Sequence, residues 1–504
     1  MLSEIRTLAG PACPAPFNLA AYVLAAGAAT PEKIALQILT PAGDELWSYA
    51  RLTAAVLGVA AGLAGLGLAP GSRVLLRLGN DVTFPLAFLG AVAAGYLPAV
   101  CPAALSLPEV TRLMATLDPA LVIAAPGLSL PQECVVPVLS AQDLHRLSRG
   151  APGTYQMGDP GRAAYLVYTS GTSGQPRAVV HAHRAIWARR MMHQGWYGLT
   201  REDRLLHAGA FNWTFTLGTG LLDPWTVGAT ALVAGSVVAP DDLTGILHRA
   251  NATLFAAVPA VYRKMLKSGA TLTLPHLRHG LAAGEKLAPQ VRDAWTGATA
   301  RPLYEAYGMS ECSTFISSSP TRAAPDGATG YAQPGRHIAV LDAEGAPVAR
   351  GQPGVLAVHR TDPGLFLGYF NAPQETEAKF QGDWFVTGDL ARMDEDGAIH
   401  IVGRADDMMN AGGFRVSPDE VETALMRHPG AGEVAVVELT LSPGTTIIAA
   451  YYTGSASEQA MAAHASTELA RYKQPRMFRQ IPSLPHTANG KVNRRKLRED
   501  DKAI

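Results

Sequence analysis

Cysteine is scarce in this chain of 504 residues: Cys13, Cys101, Cys134 and Cys312 are widely spaced and form no CxxC pair. A disulfide-stapled scaffold and a cysteine-built zinc site are therefore not expected, and reduced thiols in a cytoplasm are. A surplus of charge is missing too. Forty-two basic residues balance 42 acidic ones, so no large positive field exists to attract nucleic acid, although Lys491–Arg498 is locally basic. The N-terminus carries Glu4 and Arg6 and no basic segment leading into an apolar core, so no secretory signal is expected. Long apolar runs are few. Leu52–Ala69 is uncharged over 18 residues, the threshold length for a spanning helix. It contains Gly58, Gly62, Gly65 and Gly67, is closed by Pro70-Gly71 and leads at once into the strand-like Val74–Leu78. A buried helix feeding a strand is the expectation, with no membrane partner.

What is abundant is apolar and patterned. Hydrophobic residues make up 48% of the chain and charged ones 17%, a folded composition long enough for two or three domains. From about residue 50, helical stretches alternate with short apolar runs: Arg73–Leu78, Ala120–Ala125, Ala164–Thr169, Thr230–Ala234 and Thr253–Val258. Such alternation predicts parallel sheets of the α/β kind. Between about 330 and 402, Gly/Pro turns separate Ile338–Leu341, Gly354–His359 and Ile399–Val402, which reads as an antiparallel or barrel-like piece. A small α+β unit follows, with helices around Pro418–Arg427 and Glu458–Leu469 and strands around Glu433–Glu438 and Thr446–Tyr452. The expected division is a large N-terminal domain over 1–403, a hinge at 404–407 and a small mobile C-terminal cap over 408–504.

The first chemical signal is YTSGTSGQPRA, Tyr168–Ala178, delivered by the apolar run before it. Gly171 and Gly174 sit among the hydroxyls of Thr169, Ser170, Thr172 and Ser173, and Arg177 adds positive charge. Glycine lets backbone N–H groups turn toward an anion, so the composition suits a polyphosphate. The Gly-Lys-Ser/Thr of a Walker loop is absent, and a Ser/Gly-rich surface turn is the plain alternative. Four further motifs follow in order: AAGEKL (Ala282–Leu287), YEAYGMSE (Tyr304–Glu311), WFVTGDLAR with GRADD (Trp384–Arg392, Gly403–Asp407), and PHTANGK (Pro485–Lys491).

Together these motifs closely resemble the adenylate-forming superfamily of acyl-CoA synthetases, adenylation domains and luciferases, over about residues 20–498. The resemblance implies an α/β fold with a large nucleotide- and acid-binding domain capped by a small one. It implies ATP, Mg²⁺ and coenzyme A as cofactors and co-substrates. Thr169–Ala178 then corresponds to the loop over the β- and γ-phosphates, with the usual Ser-Thr inverted to Thr172-Ser173 and the usual Lys-Gly replaced by Arg177-Ala178. Ala178 would be strained only if its φ were positive. Gly284, Glu285 and Lys286 resemble the adenine wall; Glu305, Ala306, Tyr307, Gly308 and Ser310 continue it, with Tyr307 as the stacking aromatic. Glu311 matches the residue that meets Mg²⁺, Asp389 the ribose-binding carboxylate and Arg404 a nucleotide-binding arginine. Lys491 resembles the lysine that reaches the acid and the α-phosphate. Asp406 matches the pivot of a domain rotation, and Gly412-Gly413 the lining of the thiol channel.

The acid pocket is expected from Phe211, Trp213, Phe215, Gly218, Ala306, Gly308 and Met309. No acidic residue lies between Asp203 and Asp223, which disfavours an α-amino acid. LAAGEKL is similar to the form in benzoate–CoA ligases and medium-chain acyl-CoA synthetases, so an aryl or short-to-medium apolar acid is the expected substrate and CoA the expected thiol. A stand-alone enzyme that loads a carrier protein is the alternative. A homodimer is the expected assembly.

Overall fold

The computed structural model describes the chain except for residues 8–9, 41–42, 132–133, 170–176, 236–237, 239, 268–270, 406, 408, 412–413, 443–444, 488–490 and 502–504. Its residues fall into two compact units. The larger comprises Ile5–His337 and His359–Asp383; the smaller comprises Met1–Glu4, Ile338–Val358 and Trp384–Ile504. This division differs from the one expected at residue 403: the antiparallel strands around 338–358 and 384–404 group with the C-terminal residues.

The larger unit is built on two sheets whose central strands are parallel. In one, Arg73–Arg77 lies between Leu97–Val100 and Leu121–Ala124, and Ala163–Thr169 pairs with Leu97–Val100. In the other, Leu254–Ala257, His279–Ala283 and Leu303–Met309 run side by side in parallel next to Arg204–His207. The run Leu52–Ala69 forms the helix Tyr49–Ala64, capped by the Ser48 hydroxyl, which accepts from the Arg51 N–H at 3.2 Å. It buries Leu52, Val56, Val59 and Leu63. Its glycines serve close packing, since a Cβ at Gly62 would lie 2.5 Å from the Leu147 side chain of the helix Ala141–Leu147. Among the described residues, no helix is long and apolar enough to cross a membrane.

At the ends of the second sheet sit the segments that carry the site. Leu303–Met309 turns through Ser310–Cys312 into the antiparallel strand Ser313–Ser317. Gly308 is packed so tightly there that a Cβ would come 2.2 Å from the Ser313 carbonyl oxygen. Behind the hairpin, Arg336 and Asp362 are both fully buried; Nη1 of the arginine donates to Oδ1 at 2.8 Å, and Nη2 donates to the Thr314 carbonyl at 2.8 Å. The Glu305 carboxylate ties the turn after His279–Ala283 to the neighbouring strand by accepting from the Leu287 N–H at 2.9 Å.

In the smaller unit the middle region is antiparallel: His337–Leu341 pairs with Pro353–His359, and Trp384–Met393 pairs with Ile399–Arg404. Its C-terminal part is a sheet of Ala431–Ser442, Thr445–Gly454 and Met477–Gln480. The two-residue strand period splits its faces. Val434 and Val436 pack with Val421, Leu425 and Met461 of the helices Pro418–Leu425 and Glu458–Glu468. Ala435 and Val437 face Leu484 and Leu497 instead.

Two outcomes follow from the buried charges. Arg336→Leu leaves the Asp362 carboxylate uncompensated and should lower stability by about 3–5 kcal/mol in chemical denaturation. Glu305 is 5% exposed, and burial raises its pKa from the ordinary 4.5 to about 7 against smaller opposing effects of Leu287 and Arg292. The folded state therefore holds this proton more tightly than the unfolded state does. Stability should fall as pH rises from about 4.5 to about 7, by on the order of 3 kcal/mol, and Glu305→Gln should flatten that part of the stability–pH curve.

Candidate active site

The phosphate-loop motif is held at both ends by a β-ladder. Thr169 pairs with Arg177 in antiparallel register, and its hydroxyl lies 3.5 Å from the Arg177 carbonyl. Ser170, Gly171, Thr172, Ser173 and Gly174 lie outside the described residues. Ala178 pairs with Tyr168 within the strand, and its φ is not positive, so the alanine is unstrained. Arg177 is placed by two contacts: its Nε is 2.7 Å from the Glu375 carboxylate, and its guanidinium lies over the Tyr369 ring at 5.2 Å.

Tyr369 connects this arginine to the motif Tyr304–Glu311. Its hydroxyl donates to Oε1 of Glu311 at 2.6 Å, and the Glu311 carbonyl accepts from the Phe366 N–H at 2.7 Å. Burial, joined by the Glu311 carboxylate beside it, pushes the Tyr369 phenol far up. Glu311 sits in the hairpin turn with Ser310. Among the described residues, no group of three or more His, Cys, Asp or Glu side chains could hold a metal. A single carboxylate does not suit a resident metal. It does suit a Mg²⁺ ion that takes its remaining oxygens from nucleotide phosphates and water.

The adenine-wall and acid-pocket candidates meet at Gly284. Its φ is +94°, and a Cβ there would lie 2.4 Å from Cη2 of Trp213, so both the backbone and the indole require glycine. Glu285 lies 3.8 Å from the Arg263 guanidinium, and Lys286 is exposed. Trp213 and Phe215 meet edge to face at 5.5 Å and share a cluster with Ala306, Met192, Trp196 and Tyr197. Tyr307 meets Phe315 edge to face at 5.3 Å, and Met309 is paired with Ser313. Phe211 goes elsewhere: it stacks on Phe84 at 4.9 Å in a different core cluster.

Gly218 backs onto a buried ion pair that sequence reasoning missed. Arg189 donates from Nε and Nη2 to Asp223 at 2.8 and 2.6 Å, and from Nη1 to the Ser313 hydroxyl. Tyr197 also donates to Asp223, at 2.8 Å. Asp223 bounds the acid-free stretch noted in the sequence, and its carboxylate is committed to Arg189. Tyr369 and Glu375 were missed as well. Their signal is the aromatic after Gly368 and the carboxylate six residues beyond it, in a segment without any phosphate-loop character.

In the smaller unit, Asp389 and Arg404 are opposed across the antiparallel pair of strands, with Nη1 of Arg404 3.7 Å from the Asp389 carboxylate. Within the strand Trp384–Met393 the Asp389 N–H donates to the Thr387 hydroxyl at 3.1 Å. Lys491 is exposed, and its carbonyl accepts from the Thr487 N–H at 2.7 Å. Asp406, Gly412 and Gly413 lie outside the described residues.

The chain matches the family model for AMP-binding enzymes over residues 24–370, and the model for the AMP-binding enzyme C-terminal domain over 420–491. It is 30% identical to a 3-hydroxybenzoate–CoA ligase of Aromatoleum sp. over 90% of this chain and 91% of the relative. It is likewise 30% identical to a human mitochondrial acyl-coenzyme A synthetase, over 97% of this chain and 91% of the relative. Among solved structures, a benzoate CoA ligase from Burkholderia xenovorans superposes with a TM-score of 0.86 at 28% identity, covering 96% of this chain and 100% of that one. Two family models in order and full-length relatives at this level establish that the chain belongs to the AMP-binding enzyme family.

Proposed function

We propose that this chain joins an aryl or short-to-medium apolar carboxylic acid to coenzyme A, using ATP and passing through an acyl-adenylate. The observation that supports the reading is the close approach of Gly284, an expected adenine-wall residue, to Trp213, an expected acid-pocket residue. Full-length relatives named as CoA ligases and as an acyl-coenzyme A synthetase support the same chemistry.

In the first half-reaction a carboxylate oxygen attacks the α-phosphorus, the bond to the bridging oxygen breaks, and pyrophosphate leaves. No general base is required, because a carboxylic acid is already ionised at neutral pH. Arg177, held by Glu375 and Tyr369, offers fixed positive charge to the departing phosphates. Glu311 would hold Mg²⁺, which supplies neutralisation of phosphate charge. Asp389 accepts from the ribose hydroxyls, and Arg404 orients the nucleotide. Lys491 offsets the negative charge that develops between the acid and the α-phosphate. In the second half-reaction the CoA sulfur attacks the acyl carbon, the acyl–phosphate bond breaks, AMP leaves and the thiol proton passes to solvent. Between the half-reactions Lys491 withdraws; the pivot and thiol-channel roles that the resemblance implies fall on Asp406 and on Gly412-Gly413, outside the described residues.

Pyrophosphate release with Mg-ATP should require one class of acid and should reach many turnovers only when CoA is present. Release that stops near one equivalent with or without CoA would instead point to a carrier protein as acceptor. Lys491→Ala should lower adenylate formation by on the order of 10²–10³-fold or more while sparing thioester formation from supplied acyl-AMP. Loss of both half-reactions would contradict the two positions assigned to this lysine.

A further inference from the structure

Residues 366–370 are stitched to their surroundings on three sides. The Phe366 N–H donates to the Glu311 carbonyl at 2.7 Å. Gly368 and Tyr369 pair in antiparallel register with Val180 and Val179 of the strand Arg177–Ala182. Around that pairing, the Leu367 N–H donates to the Val180 carbonyl and the Phe370 N–H to the Ala178 carbonyl, each at 2.8 Å. The Tyr369 N–H donates to the Thr376 hydroxyl at 2.9 Å. The Tyr369 ring is 6% exposed and is braced edge to face by Phe366 at 5.1 Å. With backbone and ring both held, the direction of the phenol is set as well. It meets Oε1 of Glu311 at 2.6 Å.

Glu311 lies in the turn between the strands Leu303–Met309 and Ser313–Ser317, and a glutamate side chain there loses rotamer freedom only when something holds it. Among the described residues, no second donor reaches its carboxylate. A phenol is protonated at neutral pH and has one proton to give. Given to an ionised carboxylate, it makes a charge-assisted bond of the strong kind. That bond occupies Oε1 and leaves Oε2 as the oxygen for an ion. The ring of the same residue carries the Arg177 guanidinium at 5.2 Å. One side chain therefore sets two groups, the acid through its hydroxyl and the base through its ring.

We propose that Tyr369 is a positioning residue: its hydroxyl holds Glu311 in a one-oxygen pose toward Mg²⁺, and its ring holds Arg177 toward the β- and γ-phosphates. The proposal rests on the ligase reading above, in which Glu311 meets the ion. It is tested on the full chain by equilibrium binding of ATP as Mg²⁺ is titrated, without acid or CoA, beside binding of ATP and AMP without metal. Tyr369→Phe keeps the ring and removes only the hydroxyl. It should raise the Mg²⁺ concentration for half-maximal ATP binding by about tenfold and leave metal-free AMP binding unchanged. In a Glu311→Gln background the same change should add nothing, because the hydroxyl acts through that carboxylate. Tyr369→Leu, which removes the ring too, should also weaken metal-free ATP binding relative to AMP. An unchanged or lower Mg²⁺ requirement in Tyr369→Phe would overturn the proposal. So would an equal loss with and without Glu311, or an equal loss for ATP and AMP, since a residue that only supports the fold would behave in that way. A wild-type chain that binds no Mg-ATP would sink the ligase reading as well.

Discussion

Arg189 and Asp223 stay charged in the interior only because they face each other. Their side chains are 6% and 0% exposed, and either ion alone would lose several kcal/mol of hydration. Paired, they become a rigid post. Arg189 directly follows the helix Arg184–Ala188, Asp223 begins the short helix Asp223–Thr226, and the third arm of the guanidinium reaches Ser313 on the site hairpin. The segment between Trp213 and Asp223 must pass around this post. At Gly218 it passes so closely that a Cβ would lie 2.1 Å from Cζ of the arginine. The aromatic residues of the pocket are thus fixed from behind by electrostatics, while their own packing is apolar.

The same post sets the charge of its surroundings. The guanidinium charge is balanced by the Asp223 carboxylate. Burial, with the Arg189 charge adding to it, disfavours a proton on His207, and burial likewise lowers the pKa of His193 against the opposing charge of Asp223. Both imidazoles are therefore neutral hydrogen-bonding groups.

Much of the architecture was legible in the chain because period and punctuation agree there. Val74–Leu78 and Thr230–Ala234 are apolar runs bounded by turns, and they form strands at Arg73–Arg77 and Thr230–Ala234. Leu52–Ala69 was ambiguous by hydropathy and was resolved by its glycines. Of the two readings of 330–402, the antiparallel one is realised. The motif residues could be named because short signatures such as Tyr304–Glu311 preserve order and spacing. Arg189 and His207 were not legible. Each lies in an ordinary amphipathic or apolar stretch, and Arg189 acquires its place only through long-range pairing, with Asp223 over 34 residues and with Ser313 over 124. Phe211 illustrates the converse: within the expected pocket segment, its ring turns toward Phe84, because residues around a tight bend point in different directions.

The altered phosphate loop is best understood through what surrounds Arg177. A lysine at this position would be a mobile point charge, whereas a guanidinium can lie flat on an aromatic face and engage a carboxylate in plane. The structure supplies both partners, Tyr369 and Glu375. Tyr369 in turn binds Glu311 through its hydroxyl, so the basic end of the loop and the acidic hairpin turn are joined by one phenol. Substitution of the usual glycine by Ala178 fits this arrangement, since Ala178 lies in a regular strand with its carbonyl accepting from the Phe370 N–H at 2.8 Å, next to Tyr369. The departures from the family pattern at 177 and 178 therefore act together: the strand continues through the alanine, and its regular backbone aims the arginine at the ring that carries the link to Glu311.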